Sequence, residues 1–200
     1  MKNLIEYINE NLNSSNKYQP KNNKELIKII NKLLEERGQD ADLNDIDVSL
    51  VTNMQGVFAD TDIRNIDISK WNVSNVKNMH GMFEHCENFS CDLSHWNVSK
   101  VKDMSIMFFE CKKFNSDLSQ WDVSRVTNME SMFFDCEKFN SDLSKWDVSH
   151  VVDMTDMFYG CLNFNSDFSR WDISNIYNIN DLDGMFDGCN SLKNIPSWYK

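Results

Sequence analysis

The sequence predicts an α/β repeat solenoid: a right-handed, leucine-rich-repeat-like coil with one parallel sheet face, short helical turns opposite and an N-terminal helical cap. The first observation behind this prediction is an internal period of 25 residues. Trp71, Trp96, Trp121, Trp146 and Trp171 recur at that period, and methionine, phenylalanine and cysteine recur with them. A fixed period of roughly 20 to 50 residues is typical of proteins in which each repeat stacks on its neighbours.

The second observation is that each unit contains two hydrophobic patterns. Leu118, Trp121 and Val123 have the spacing L-x-x-W-x-V, and their aromatic and β-branched side chains favour a strand. In the segment V-x-x-M-x-x-M-F-x-x-C, apolar residues between Met104 and Cys111 fall at i, i+3, i+4 and i+7. That spacing is one face of a short helical turn. A strand and a helical turn in every unit predict one coil of a solenoid.

Residues 1–40 are predicted to form the N-terminal helical cap, and residues 41–200 a solenoid of about six repeats with an irregular C-terminal coil. Ile5, Ile8 and Leu12 give the first part of the cap a short amphipathic face. A helical arm that binds another protein is the alternative for this region.

A second helix of the cap is predicted to follow Asn22. Glu25 stands three residues later, as in a capping box, and Gly38 is a plausible stop. The apolar stripe of this helix consists of Leu26, Ile30, Leu33 and Leu34. A stripe of this kind is expected to cover the open end of the stack.

The C-terminal unit departs from the period. Three extra residues follow Trp171 and shift the segment MFDGC to Met185–Cys189. The chain closes with SLKNIPSWYK, in which Pro196 removes a backbone donor and would blunt an exposed sheet edge. Either this tail suffices to end the stack, or the last coil meets a partner.

The units resemble those of the bacterial BspA-like leucine-rich-repeat proteins. The likeness is to the 25-residue subtype with the signature W-[ND]-V-S-x-V-x-x-M-x-x-M-F-x-x-C-x-x-F-N, a domain of unknown function. It spans roughly residues 41–195 and includes the tail motif C-x-S-L-K-x-I-P. Members of that family are commonly surface or secreted proteins, so the resemblance implies a non-enzymatic module that binds proteins. It implies no catalytic residues.

Charge narrows the classes of partner. The chain has a formal net charge of −11, and the excess of acid lies almost entirely after residue 40. Such a surface disfavours nucleic acids and anionic membranes, which need a basic field. The N-terminus lacks the features of a secretory signal, so a cytoplasmic location is expected for the sequence as written. A surface or secreted location is expected if a leader is missing.

A cluster of histidines and cysteines gives one candidate metal site. Cys86, Cys91 and His95 have roughly zinc-like spacing, and His80 and His85 lie nearby. However, His95 is expected on the strand side of the coil, and the other two histidines on the helical side. One tetrahedral site cannot gather them without remodelling the coil. We therefore expect no metal and no cofactor.

A column of cysteines is expected inside the coil. Cys86, Cys111, Cys136 and Cys161 occupy one repeat position, where cysteine acts as a small apolar residue. Reduced thiols are predicted for a chain without an export signal. Disulfides between adjacent coils are the alternative.

The candidate binding surface is the sheet face that points away from the core. Columns of polar side chains are predicted there, with basic columns beside an acidic one, and repeat proteins commonly bind partners through such surfaces. The candidate residues are Lys70, Asn72, His95, Asn97, Lys100, Gln120, Asp122, Arg125, Lys145, Asp147, Arg170 and Asp172. Two other interpretations are a solvated face with charge pairing between strands, and calcium bound along the Asp column, although glycine-rich calcium-binding turns are missing from the sequence.

These patterns predict a protein that binds a protein partner through the sheet face and is not an enzyme. No phosphate loop, nucleophile elbow or zinc-protease motif is present in the sequence. The alternative is a structural or self-assembling element that oligomerises through its C-terminal end. The expected state is a monomer or a weak homo-oligomer.

Overall fold

The structure, a computed structural model, describes residues 18–199. Within that range it contains an α-helix, α1 (Asn23–Arg37), and a short 3-10 helix (Ile179–Leu182). No residue of the range belongs to a β-strand, and the strand-like contacts are isolated parallel bridges between single residues. The predicted α/β solenoid with one parallel sheet face is therefore wrong. The predicted helical turns are also absent as helices, because V-x-x-M-x-x-M-F-x-x-C forms hydrogen-bonded turns instead.

Helix α1 begins and ends where its capping residues predict. Asn22 Oδ1 accepts a hydrogen bond from the Glu25 amide at 3.0 Å, and the Glu25 carboxylate accepts one from the Lys21 amide at 2.9 Å. Gly38 ends the helix with φ +84°, and its amide donates to the Leu34 carbonyl at 2.9 Å. Both ends are thus closed by local polar contacts.

The apolar face of α1 belongs to the same buried cluster as the repeats. This face consists of Leu26, Ile29, Ile30, Leu33 and Leu34. Ile5, Ile8 and Leu12 lie outside the described residues, so the first part of the predicted cap and the boundary at residue 40 stay predictions.

Each repeat is a series of β-turns. Between residues 96 and 121, amide-to-carbonyl hydrogen bonds close turns at Val98–Val101 (2.8 Å), Met104–Met107 (3.2 Å) and Phe108–Cys111 (2.9 Å). The Leu118–Trp121 segment, predicted as a strand, is closed in the same way at 3.0 Å. The first and last residues of each turn are buried apolar side chains. Apolar residues at i and i+3 therefore mark β-turns here, rather than a strand or a helix.

Aspartate and asparagine explain why turns replace the predicted strand. Asp117 Oδ1 accepts a hydrogen bond from the Ser119 amide at 2.9 Å, and Asp122 Oδ1 accepts one from the Ser124 amide at 3.1 Å. These are Asx-turns, in which a side chain satisfies the backbone locally and competes with strand pairing. The two turns flank Trp121, so its β-propensity is overridden on both sides.

Two kinds of hydrogen bond join successive repeats. In the segment that follows each V-x-N/D, amides donate to carbonyls of the next repeat, as from Met79 to Asp103 at 2.9 Å and from Phe83 to Met107 at 2.9 Å. Around the tryptophans, side chains make the links instead. The Trp121 indole donates to the Leu93 carbonyl at 3.0 Å, and the Ser116 hydroxyl accepts from the Leu93 amide at 2.9 Å.

Phenylalanines fill the centre of the stack. Phe83, Phe108, Phe133 and Phe158 are completely buried and stack on one another, with ring centroids 5.5 to 5.6 Å apart. Offset stacking of this kind adds to the free energy of burial. The period of the sequence is therefore also the period of a continuous aromatic core.

The C-terminal tail completes a sixth repeat. The Trp198 indole donates to the Phe168 carbonyl at 3.4 Å, a contact equivalent to that between Trp171 and the Leu143 carbonyl at 3.0 Å. The Lys193 amide likewise donates to Asn165 Oδ1 at 3.0 Å. The extra residues of this repeat coincide with the 3-10 helix Ile179–Leu182.

Candidate interaction surfaces

The twelve predicted binding residues are all exposed, and they lie on turns instead of a sheet. Residues of the column that contains His95 and Lys145 occupy the third position of the L-S-x-W turn. The column of Asp122 follows the tryptophan, and Arg125 occupies the third position of the V-S-x-V turn. We call this surface the turn face. Its residues are Lys70, Asn72, His95, Asn97, Lys100, Gln120, Asp122, Arg125, Lys145, Asp147, Arg170 and Asp172.

The acidic column of the turn face is partly engaged in the backbone. Asp147 Oδ1 accepts hydrogen bonds from the Ser149 hydroxyl at 2.6 Å and from its amide at 3.1 Å. These contacts hold the pKa of the Asp147 carboxyl below its ordinary value. The Ser174 amide and hydroxyl do the same for the pKa of Asp172. These carboxylates therefore shape the turns, and only their remaining lone pairs face outward.

The basic side chains of the turn face make fewer hydrogen bonds and ion pairs than the acidic ones. Among residues 18–199, the side chains of Arg125, Lys145 and Arg170 make no hydrogen bond and no ion pair. Lys100 Nζ donates to Asn75 Oδ1 at 2.8 Å, within the same face. His95 Nε2 contacts the Ser69 carbonyl oxygen of the preceding repeat. The groups of the turn face that are open to a partner are mainly cationic.

A second acidic column, which the sequence analysis missed as a site, lies beside the turn face. In repeat after repeat, a serine hydroxyl bridges an aspartate and a backbone amide: Ser141 Oγ donates to Asp117 at 3.2 Å and accepts from the Leu118 amide at 2.8 Å. The Ser119 amide and hydroxyl lower the pKa of Asp117. The recurring motif N-S-D-L-S was the available signal. Its role in the structure is to link repeats.

The histidines and cysteines of the suspected zinc cluster have separate partners. Cys86 Sγ donates to the Phe58 carbonyl at 3.1 Å in the core. His80 Nδ1 lies 2.8 Å from Ser105 Oγ, and His85 Nδ1 lies 2.8 Å from Asp60 Oδ1. Cys91 is half-buried, and His95 lies on the turn face. The structure does not bring these five side chains together.

The cysteine column forms a row of buried thiols. Cys111, Cys136 and Cys161 each donate to a phenylalanine carbonyl of the preceding repeat at 3.0 Å. Burial raises the pKa of Cys86 to about 11 and that of Cys189 to about 12. Thiols with such pKa values stay protonated at neutral pH and are poor nucleophiles. The column therefore acts as core packing and as a set of weak donors.

An outer aromatic ladder is a surface feature that the sequence analysis did not identify. Phe109, Phe134 and Tyr159 stack with ring centroids 4.6 Å apart, and Tyr159 is 39% exposed. Most of the large exposed apolar side chains lie in the last two repeats. These are Val152, Tyr159, Leu162, Tyr177, Ile179 and Ile195. Apolar exposure therefore increases towards the C-terminal end.

No helix within residues 18–199 is long and apolar enough to cross a bilayer. A sequence model described as "Mycoplasma protein of unknown function, DUF285" matches residues 24–136 and 116–199. No curated protein matches the chain. No solved structure matches it either.

Proposed function

The chain belongs to the DUF285 family of Mycoplasma proteins of unknown function, and from its surface we propose that it is a non-catalytic module that binds a protein partner through the turn face. The observation that carries this proposal is the array of outward cationic side chains, repeated from one turn to the next. Arg125, Lys145 and Arg170 are members of that array.

A rigid backbone supports the proposal. Each turn is closed by a backbone hydrogen bond, as at Leu143–Trp146 (3.0 Å), and the Trp146 indole ties it to the Leu118 carbonyl at 3.0 Å. Side chains on such turns are held in register without help from a ligand. Preorganised groups bind with a smaller loss of conformational entropy.

Charge indicates the kind of partner. The carboxylates of Asp147 and Asp172 accept hydrogen bonds within their own turns. The neighbouring Lys145 and Arg170 have no such partner, so their donors are available to other molecules. The turn face therefore suits a protein surface that presents carboxylates at similar intervals. Complementary charges of this type set specificity and association rate more than affinity.

The resemblance to BspA-like repeats supports the same proposal. BspA-like repeats are associated with the binding of proteins, and a periodic polar surface agrees with that role. We also propose that the chain belongs to the 25-residue BspA-like subtype, which is a finer assignment than the match to DUF285.

A charge-matched pair of variants tests the function. In the first variant, Arg125→Gln, Lys145→Gln and Arg170→Gln remove cations of the turn face. In the control, Lys102→Gln, Lys113→Gln and Lys138→Gln remove the same charge from exposed positions elsewhere. Immobilised proteins are incubated with a Mycoplasma lysate, and captured proteins are quantified by mass spectrometry. We expect a specific protein to be lost with the first variant and kept with the control. Equal capture by both variants would exclude the turn face.

A further inference from the structure

Within the M-x-x-M-F segments, the backbone hydrogen bonds that join one repeat to the next all run in one direction. In the fifth repeat, the amides of Asp156, Phe158 and Gly160 donate to carbonyls of the sixth at 2.8, 3.0 and 2.8 Å. Alternate amides of one repeat thus bind alternate carbonyls of the next. Where no segment follows such a repeat within the described residues, these amides are left without backbone acceptors.

The sixth repeat carries such amides. The positions equivalent to Asp156, Phe158 and Gly160 are Gly184, Phe186 and Gly188. Among the described residues, the amides of Gly184 and Gly188 have no acceptor. Burial raises the pKa of the Tyr199 hydroxyl, and the nearby Phe186 amide opposes that rise. We call these three residues the donor edge.

Carboxylates surround the donor edge. Asp183 and Asp187 are exposed, and Asp181 is half-buried. None of the three forms an ion pair with a residue of the described range. Burial, together with the charges of Asp187 and Asp183, raises the pKa of nearby Asp156. The edge therefore combines unpaired backbone donors with an uncompensated negative charge.

A second copy of the chain is a poor occupant. A symmetric contact between two C-terminal ends would set donors against donors and Asp183 and Asp187 against their own counterparts. A head-to-tail contact would have to displace α1, whose Leu26, Ile29 and Leu33 are completely buried. An extended segment with free carbonyls and basic side chains meets neither obstacle.

We propose that the donor edge of Gly184, Phe186 and Gly188 binds an extended basic segment of a partner protein. Alternate carbonyls of the segment accept from the three amides, as the next repeat would, and lysine or arginine side chains of the segment lie against Asp181, Asp183 and Asp187. The segment displaces the Tyr199 hydroxyl from the middle amide. This is strand addition at an open backbone edge. It concerns a surface separate from the turn face, and either can fail without the other.

The experiment uses a fluorescein-labelled peptide of alternating lysine and threonine, titrated into the full chain at low ionic strength. Two-dimensional amide NMR spectra of the complex locate the contact. We expect the largest chemical-shift changes at the amides of Gly184, Phe186 and Gly188. A peptide with glutamate in place of lysine should not bind. A peptide with the lysine sequence but alternate D-residues keeps its charge and should bind more weakly, because it cannot stay extended.

Matched variants separate edge binding from general attraction to an acidic protein. Asp183→Asn with Asp187→Asn should weaken binding of the lysine peptide about tenfold, because the two substitutions remove two exposed ion pairs. Asp122→Asn with Asp147→Asn removes the same charge from the turn face, where Asn97 already fills the column, and should leave affinity unchanged. Tyr199→Phe keeps the ring on Phe186 but frees the amide, and should strengthen binding about threefold.

Three results would overturn the proposal. The first is equal weakening by both pairs of Asp→Asn variants. The second is shift changes spread over other acidic surfaces, with the donor edge unaffected. The third is a concentration-dependent dimer in sedimentation velocity whose formation shifts the same three amides, which would assign the edge to a second copy.

Discussion

The two ends of the stack of repeats are covered in different ways. At the N-terminal end, α1 covers the first repeat with side chains such as Leu33, which is completely buried, and Asn23 Nδ2 donates to the Gln55 carbonyl at 2.8 Å. At the C-terminal end no helix of the described range packs on the sixth repeat, where Leu192 and Trp198 stay half-buried. A helix satisfies most of its own backbone and so covers the first repeat, whereas the sixth repeat leaves the amides of Gly184 and Gly188 without an acceptor among the described residues.

The largest expected difference between the ends is in the free energy of unfolding lost when a leucine is replaced by alanine. Leu33→Ala at the N-terminal end should lower the free energy of unfolding by about 2 to 5 kcal/mol, since it opens a cavity in a buried site. Leu192→Ala at the C-terminal end should cost about 1 kcal/mol or less, because that side chain already meets solvent. Urea denaturation measures both values. Equal losses would mean that the C-terminal end is as well packed as the N-terminal one.

Replacing a glycine by alanine at each end should also lower stability by different amounts. Gly38 has φ +84° and no atom near the position of an added Cβ, whereas Gly184 has φ +65° and Asp156 Oδ1 2.0 Å from that position. Gly38→Ala should cost about 1 kcal/mol for its backbone conformation alone. Gly184→Ala should cost more, because the Asp156 carboxylate must also move.

Thermal denaturation of Gly184→Ala with and without Asp156→Ala separates the two contributions. The double variant should recover the part of the loss that is due to the carboxylate. No recovery would show that the backbone conformation of Gly184 accounts for the whole effect.

The helix caps should differ less. Asn22 Oδ1 caps the fifteen-residue α1 at 3.0 Å, and Asn178 Oδ1 caps the 3-10 helix by accepting from the Asn180 amide at 3.2 Å. Asn22→Ala should lower the free energy of unfolding by about 1 kcal/mol. Asn178→Ala should lower it by under about 0.5 kcal/mol, since it caps a single exposed turn. Chemical denaturation of both variants tests the order, and the reverse order would contradict it.

The smallest expected effects have opposite signs at the two ends. Asp45→Asn breaks the bidentate pair with Arg37, at 2.7 and 2.9 Å, and should cost under about 1 kcal/mol. Asp156→Asn should raise stability slightly at pH 7, because burial and neighbouring carboxylates raise the pKa of Asp156 in the folded state. A raised pKa means that the ionised group opposes folding above that pKa.

A pH series tests the sign. The gain from Asp156→Asn should be complete above the folded-state pKa and should disappear as the pH falls below the ordinary value for aspartate, about 3.9. A gain that persists at low pH, or a loss at pH 7, would contradict the crowding of negative charge at this end.

Particular residues show how far the candidate sites could be predicted. All twelve residues of the turn face are exposed, because periodicity separates inward from outward positions whatever the backbone does. The structure was needed to show that Asp147 binds Ser149 while Lys145 is unpaired. The spacing of residues in the sequence does not give the distances between these side chains. The donor edge could not be predicted from the sequence, because it depends on which amides of the sixth repeat find no acceptor among the described residues.

The sequence by itself determined the period, the buried side chains and the limits of α1. Trp, Met, Phe and Cys must be buried wherever they recur, and Asn22 and Gly38 act on the backbone next to them. The choice between strand and turn was visible only in the structure, because L-x-x-W fits either, and hydrogen bonds from the Ser119 and Ser124 amides to Asp117 and Asp122 favour the turn. The tertiary structure also decided that the M-x-x-M-F segments all donate to the next repeat, and hence that the amides of Gly184 and Gly188 in the sixth repeat stay open.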